Sequence, residues 1–445
     1  MNKETQFRKF FKLASLLTDY YPRSGAHFLN SFLHILVGNK VLLNLFVVRS
    51  KQNLKKLKGF YKFLVVGDLN IGDAVISISA VSALKEIFPN SEVELIVKKA
   101  TKNLILGNAD ISKLYPVYKG APYPTESDLI ELKKIVDSND YDLIINFSPM
   151  ISSTIFGDKN VIDYTMMAAQ LVRDNHLNNV VNHINYKSYQ FIGRIFNNFL
   201  PPFFGNKFKG SEIYLPDEAI ETAKRFLFNH NISTKDPIIM INPDASAKFT
   251  RIPFGTQLGL LNKFIDLNFK VLLGAGHVEK LVEYKLVNSL PANKREKITI
   301  VPASMNLESY TALIDFSDVY ISGDTGPLHL AAARKYSRST GKSLRNKTAV
   351  FSIFGATPPR IYGYDSNLKG YFAANQDAPS KIFIAPSPCR NITCIDKLGK
   401  ACKEVRCFQS LDMDRIVAET ILYLKGLRKN KFERVEVLRR RKIMA

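Results

Sequence analysis

Cysteine is scarce in this 445-residue chain: there are four, all between positions 389 and 407. That scarcity argues against a disulfide-laced secreted fold and makes the cytoplasm the expected compartment. Acidic side chains are also in short supply, 40 against 62 Lys and Arg, for a net charge of +22. Long apolar runs are missing. The stretch FLNSFLHILVGNKVLLNLFVV is broken by Asn30, His34, Asn39, Lys40 and Asn44, so it does not read as a spanning helix. The N-terminus lacks the short apolar core and small-residue cleavage site of a signal peptide. Neither GxGxxG nor GxxxxGK[ST] occurs, which argues against a dinucleotide dehydrogenase or a P-loop enzyme. No zinc-finger, helix-turn-helix or RNA-recognition pattern is found, so nucleic acid is not an expected partner.

What is present is unevenly spread. Residues 1–62 carry 12 basic and 2 acidic side chains, residues 425–445 carry 9 and 2, and Arg334–Lys347 carries 6 and none. The remainder is close to neutral. Basic attachments are drawn to polyanions, at about 1 kcal/mol per well-placed Lys or Arg at an anionic membrane. Bases mixed with bulky apolar residues, as in FRKFFKLASLL, favour a membrane surface. A helical subdomain with a solvated charged face is the plainer alternative. The chain is too long for one ordinary core. Its organisation reads as a basic amphipathic helical extension over 1–58, a Rossmann-like domain over 59–205, a second over 206–425, and a basic tail over 426–445.

From Phe63 a βα rhythm begins. FLVVG, VELIV and YDLIINF read as strands, with DAVISISAVSALKEIF and DLIELKKIVDSN as the helices. A looser segment, FNNFLPPFFGNKFKG, reads as a linker. A second series follows in PIIMINP, FKVLLGAG, ITIVPA, VYISGD and TAVFSIFGAT, with helices between, and MDRIVAETILYLKGL closes it. Continuously apolar strands separated by helices predict parallel sheets covered on both faces. Ligands in such sheets bind beyond the carboxyl ends of the strands.

Two turns stand out there. In VYISGDTGPLHLAAA a strand ends at Gly323-Asp324, and Thr325 and Gly326 lead into Pro327, which suits the first helical position. The amides of Thr325, Gly326 and Leu328, with His329 in the first helical turn, form an anion site suited to phosphate or pyrophosphate. A helix cap at Asp324 or Thr325 without a ligand is the plainer reading. A second turn of the same kind, FGATPP, ends the next strand. In GDLNIGDAV, Gly67 and Gly72 permit a tight turn, and Asp73 stands at the start of the helix. Asp73 is there either as an N-cap or as a general base, with Asp68 stabilising the loop.

These segments, in this order, resemble glycosyltransferase family 9, the bacterial heptosyltransferases of lipopolysaccharide synthesis. The similarity runs through IGDAV, ALKEIFPNSEVELIVKK, GNADISKLYPV and YDLIINF, then INPDASAK, VLLGAGHVEK, MNLESYTALI, SGDTGPLHLAAA and FGATPP, over roughly residues 60–425. The resemblance implies an α/β fold of GT-B type, two doubly wound Rossmann-like domains facing a cleft. It also implies inverting transfer of a heptose from ADP-heptose to a lipopolysaccharide core acceptor, with no metal or other cofactor required. The enzyme would lie in the cytoplasm, peripheral to the inner membrane, where a lipid-linked oligosaccharide acceptor is met. Asp73 is then the base. Asp324, Thr325 and Gly326, with Pro327, Leu328 and His329 beside them, hold the donor sugar and its diphosphate. Met305 packs near the adenine, and Glu279 matches the acid near the ribose. Gly72 and Asp68 belong to the acceptor-side loop. Where the family has a Lys and a Trp before a proline, this chain has Thr250 and Ile252 before Pro253, so Lys248 or Arg251 would supply the charge. Transfer from another nucleotide sugar, or a catalytically degenerate membrane-associated scaffold, are the competing expectations.

Cys389, Cys394, Cys402 and Cys407, spaced C-x4-C-x7-C-x4-C, could hold a structural zinc as four thiolates. Free cysteines in a loop are the alternative, because the close C-x2-C pairing is absent.

Overall fold

The computed structural model describes residues 61–67, 70–119, 124–148, 151, 153–159, 161–162, 211–245, 250–274, 281–336, 348–355, 357, 359, 363–364, 379–386 and 405–427. The expected N-terminal extension, the expected change of domain at 205/206 and most of the basic tail lie outside these residues. The chain divides into two compact units, with the changeover between Tyr214 and Leu215.

The first unit is built on β1 (Lys62–Val66), α1 (Ile71–Ile87), β2 (Glu92–Lys98), β3 (Lys113–Tyr118), α2 (Glu126–Asp137), β4 (Leu143–Asn146) and β5 (Val161–Ile162). Its five strands are all parallel, in the order β3-β2-β1-β4-β5. Phe63 to Val66 are fully buried, which is why β1 reads as an unbroken apolar run rather than an alternating one. Strand β3 (KLYPVY) was not legible from the sequence because it contains Pro116, which a strand tolerates at a sheet edge. Helix α2 opens with a capping box: the Thr125 hydroxyl accepts from the Asp128 amide, and the Asp128 carboxylate accepts from the Thr125 amide. Helix α1 is buried from Ala74 to Leu84 on every face, so its serines bond back into the helix, Ser77 to the Ala74 carbonyl at 2.7 Å and Ser79 to that of Ile76 at 2.8 Å. The one buried carboxylate of β2, Glu94, is fully engaged: it accepts from Tyr141 at 2.5 Å and Tyr115 at 2.9 Å and pairs with Lys62 at 3.2 Å.

The second unit comprises α3 (Asp217–Asn229), β6 (Ile238–Asn242), α4 (Phe254–Asp266), β7 (Lys270–Leu273), α5 (Val282–Asn288), β8 (Ile298–Ile300), α6 (Leu307–Phe316), β9 (Val319–Ser322), α7 (Gly326–Tyr336), β10 (Ala349–Phe354), β11 (Ser380–Ile384) and a closing helix over 413–427, α8. Its six strands are parallel in the order β11-β10-β9-β6-β7-β8. The core joins Ile239 and Ile241 of β6, Ile321 of β9 and Phe351 of β10 to Leu260, Leu261 and Phe264 of α4 and Ile416 of α8. Helix α3 is an addition to the expected series. It starts behind Pro216 with Asp217 and Glu218 in its first turn and buries Ala219, Ala223 and Leu227, a stripe at four-residue intervals.

In each sheet the strand order reverses once, between β1 and β4 in the first unit and between β6 and β9 in the second. Crevices at the carboxyl side of such reversals are where open α/β sheets take ligands.

Candidate functional site

At the reversal of the second sheet, Asn242 ends β6, Ser322 ends β9, and the two are register partners. The Asn242 side-chain amide is oriented by four contacts. Its Nδ2 donates to the Ser322 hydroxyl at 3.2 Å, the Thr325 hydroxyl at 3.2 Å and the Asp244 carbonyl at 3.0 Å, and its Oδ1 accepts from the Tyr310 hydroxyl at 3.3 Å. Ser322 and Thr325 also share a hydrogen bond at 3.1 Å. Tyr310 reaches in from α6 and fills the space beside Gly274 at the end of β7, which leaves no room for a Cβ there. Tyr320 stands next to Tyr310 and Ser322, and burial pushes both phenols above their ordinary range.

Above this network lies the turn that the sequence singled out. A Cβ on Gly323 would come within 2.5 Å of the Thr250 carbonyl, so the β6–α4 loop rests directly on the turn and glycine is required. Helix α7 begins at Gly326, one residue before the expected start, and Pro327 is its second residue, still in the turn whose amides need no helical acceptor. The expected anion site changes in one respect: the Leu328 amide donates to the Thr325 carbonyl at 3.1 Å, so it is already engaged within the turn. His329 is buried on α7, with Nδ1 2.8 Å from the Tyr364 hydroxyl and Nε2 3.7 Å from the Asp324 carboxylate. In the second turn, the Thr357 hydroxyl is buried without a hydrogen-bond partner among the described residues.

The β6–α4 loop carries Thr250 and Arg251 ahead of Pro253. Arg251 is committed within its own loop, its Nε 2.5 Å from buried Asp244 and its Nη2 donating to the Ala245 carbonyl at 2.9 Å. Ile252, at the family's tryptophan position, is buried near Gly323. Gln257 of α4 braces the loop from behind, donating to the carbonyls of Pro243 at 2.8 Å and Ile252 at 2.5 Å. Lys248 and Glu279 lie outside the described residues. Met305 is half-buried in the turn before α6, its amide donating to the Pro302 carbonyl at 3.0 Å.

In the first unit the corresponding reversal carries the glycine-aspartate loop. Gly67 ends β1 so close to the next strand that a Cβ would stand 2.8 Å from the Ile96 carbonyl. Asn70, not Asp73, occupies the N-cap position of α1. Asp73 is the third helical residue, half-buried, and accepts from the Asn70 side-chain amide at 3.1 Å. A carboxylate in that turn is favoured by the helix dipole. Gly72 is buried in the same turn, and Asp68 lies outside the described residues.

The profile of glycosyltransferase family 9 (heptosyltransferase) matches residues 129–381, more than half of the chain. The chain belongs to this family. It is a heptosyltransferase-like glycosyltransferase. Curated relatives agree: lipopolysaccharide heptosyltransferase 1 of Campylobacter coli is 24% identical over 317 residues, 67% of this chain and 85% of its own length. Lipopolysaccharide heptosyltransferase 3 of Escherichia coli K12 is 22% identical, over 70% of this chain and 88% of its own. A family 9 glycosyltransferase from Veillonella parvula shares the fold at a TM-score of 0.61 and 15% identity, with 83% of this chain and 99% of that one covered. The ADP-heptose lipopolysaccharide heptosyltransferase II of E. coli does so at 0.50 and 13%, with 81% and 99% covered. The α/β architecture is thus that of the GT-B glycosyltransferases.

Asn242, Gln257, Tyr310, Ser322 and Tyr364 were not singled out by the sequence. For Asn242 a signal existed, an Asn-Pro turn behind an apolar strand; for Tyr310 and Tyr364 only the fold reveals the contact. Cys407 is packed in the core of the second unit, while the other three cysteines lie outside the described residues. Among the described residues no group of three metal-ligating side chains occurs, and no helix is long and apolar enough to cross a membrane.

Proposed function

We propose that this family 9 enzyme moves a heptose, or a closely related sugar, from an ADP-sugar to a lipopolysaccharide core acceptor with inversion at the anomeric carbon. Asp73 takes the proton from the acceptor hydroxyl as that oxygen bonds to the anomeric carbon. The bond from that carbon to the diphosphate breaks, and ADP departs. The amides of Thr325 and Gly326, the dipole of α7 and buried His329 meet the leaving group's charge; Asp324 and Thr325 orient the donor sugar, and Met305 and Glu279 line the nucleoside end. Lys248 joins the diphosphate side, because Arg251 is already paired with Asp244.

The observation that carries this reading is the position of the Gly323–Gly326 turn. It stands at the reversal of the second sheet, ahead of an eleven-residue helix, in a chain whose curated relatives are named as lipopolysaccharide heptosyltransferases. Thermal-shift screening with ADP-, GDP- and UDP-sugars tests it. Stabilisation by ADP-heptose alone supports the donor assignment, a response to another nucleotide replaces it, and no response to any points to a degenerate scaffold. The basic N-terminal segment holds the enzyme at the anionic inner membrane face; flotation with anionic liposomes is expected to fail once residues 1–58 are removed.

A further inference from the structure

From the network at the end of β6 we infer that Asn242 is a positioning residue for the donor site, acting through Thr325 and the β6–α4 loop. The inference rests on the donor-site reading above. Asn242 is 4% exposed, and both ends of its amide are engaged. Its nitrogen reaches two hydroxyls of the Ser322–Thr325 turn and the Asp244 backbone carbonyl, while its oxygen is held by Tyr310. One planar group therefore connects the β9–α7 turn, the β6–α4 loop and helix α6.

The geometry has a chemical consequence. With its amide donating to Thr325 Oγ1, Asn242 fixes the residue that immediately precedes α7. The Thr325–Gly326 backbone is thereby held in one orientation before a diphosphate arrives, so binding need not order it. The hydrogen-bond direction also matters. An aspartate of the same shape accepts where Asn242 donates, so it would lose all three donations and place a carboxylate beside a site for an anion.

The test uses the full-length protein. Amide hydrogen exchange over residues 319–331 without ligand, and the thermal shift with ADP, are measured for wild type, Asn242→Asp, Asn242→Ala and a core control, Ile265→Ala. Both Asn242 variants are expected to exchange at least about tenfold faster in that segment and to lose most of the ADP response. Their donor KM rises by a larger factor than kcat falls. Ile265→Ala lowers Tm without either change. Unaltered exchange in the segment for both Asn242 variants overturns the inference, and so does Asn242→Asp behaving as wild type. Faster exchange in the variants of a wild-type protein that ignores every nucleotide supports the bracing role and removes the donor reading instead.

Discussion

The hydroxyl of Ser322 receives the side-chain amide of Asn242 at 3.2 Å, across the two strands where the second sheet changes direction. Residues 80 apart in sequence are thereby made neighbours, and the loops that follow each strand share one hydrogen-bond network. Open α/β sheets take ligands at such a reversal, and here it is also where these polar groups meet.

Asp73→Asn should leave the fold intact, because the half-buried side chain keeps a partner in Asn70. Transfer to the acceptor is expected to fall by about 10²–10⁴-fold, the usual contribution of a general base. Initial rates, with Tm within a few degrees of wild type, check this; full activity would remove Asp73 from the mechanism.

Arg251→Ala removes the guanidinium from buried Asp244 and should cost about 1–3 kcal/mol, the penalty for taking a partner from a buried polar group. Urea unfolding of the second unit reports the loss. Since Arg251 serves its own loop, the ADP-induced stabilisation should largely persist, whereas Lys248→Ala should abolish most of it. The opposite pattern would exchange their roles.

Gly323→Ala puts a methyl group against the Thr250 carbonyl, a backbone atom that cannot swing aside. Overpacking of this kind costs roughly 1–3 kcal/mol. The turn also has to move away from the β6–α4 loop, so nucleotide binding measured by calorimetry should weaken more than Tm suggests.

Alkaline pH should loosen the second unit. The unfolded chain ionises Tyr310 and Tyr320 near pH 10, whereas burial keeps both protonated to higher pH in the folded state. Their contribution is whole below about pH 10 and declines as pH rises beyond it, by up to about 1.4 kcal/mol per pH unit for each phenol. Tm measured from about pH 8 to 11 should fall more gently in Tyr310→Phe than in wild type.

Much of the fold was legible because buried parallel strands carry a local signature. FLVV, ELIV, LIIN, IIMI and VFSIF are dominated by apolar residues, and each is followed by a glycine or polar turn. Strands β3 and β5 carry no such signature, because one is interrupted by Pro116 at an edge and the other is only two residues long. Helix α3 is legible in its spacing of Ala219, Ala223 and Leu227 but follows closely on a Pro- and Gly-rich, linker-like segment. Of the site, Gly323 to His329 and Asp73 were visible because glycine, aspartate and proline at a strand end have few other uses.

By itself the sequence determined the alternation of strand and helix, the glycine-marked turns and the family, since these depend on residue type and local spacing. The tertiary structure decided which strand ends stand together, and so placed Asn242 beside Ser322 and Thr325, tied Arg251 to Asp244 and joined His329 to Tyr364. Hydrogen bonds between residues 80 or 35 positions apart arise from strand order and loop closure, which no local pattern specifies.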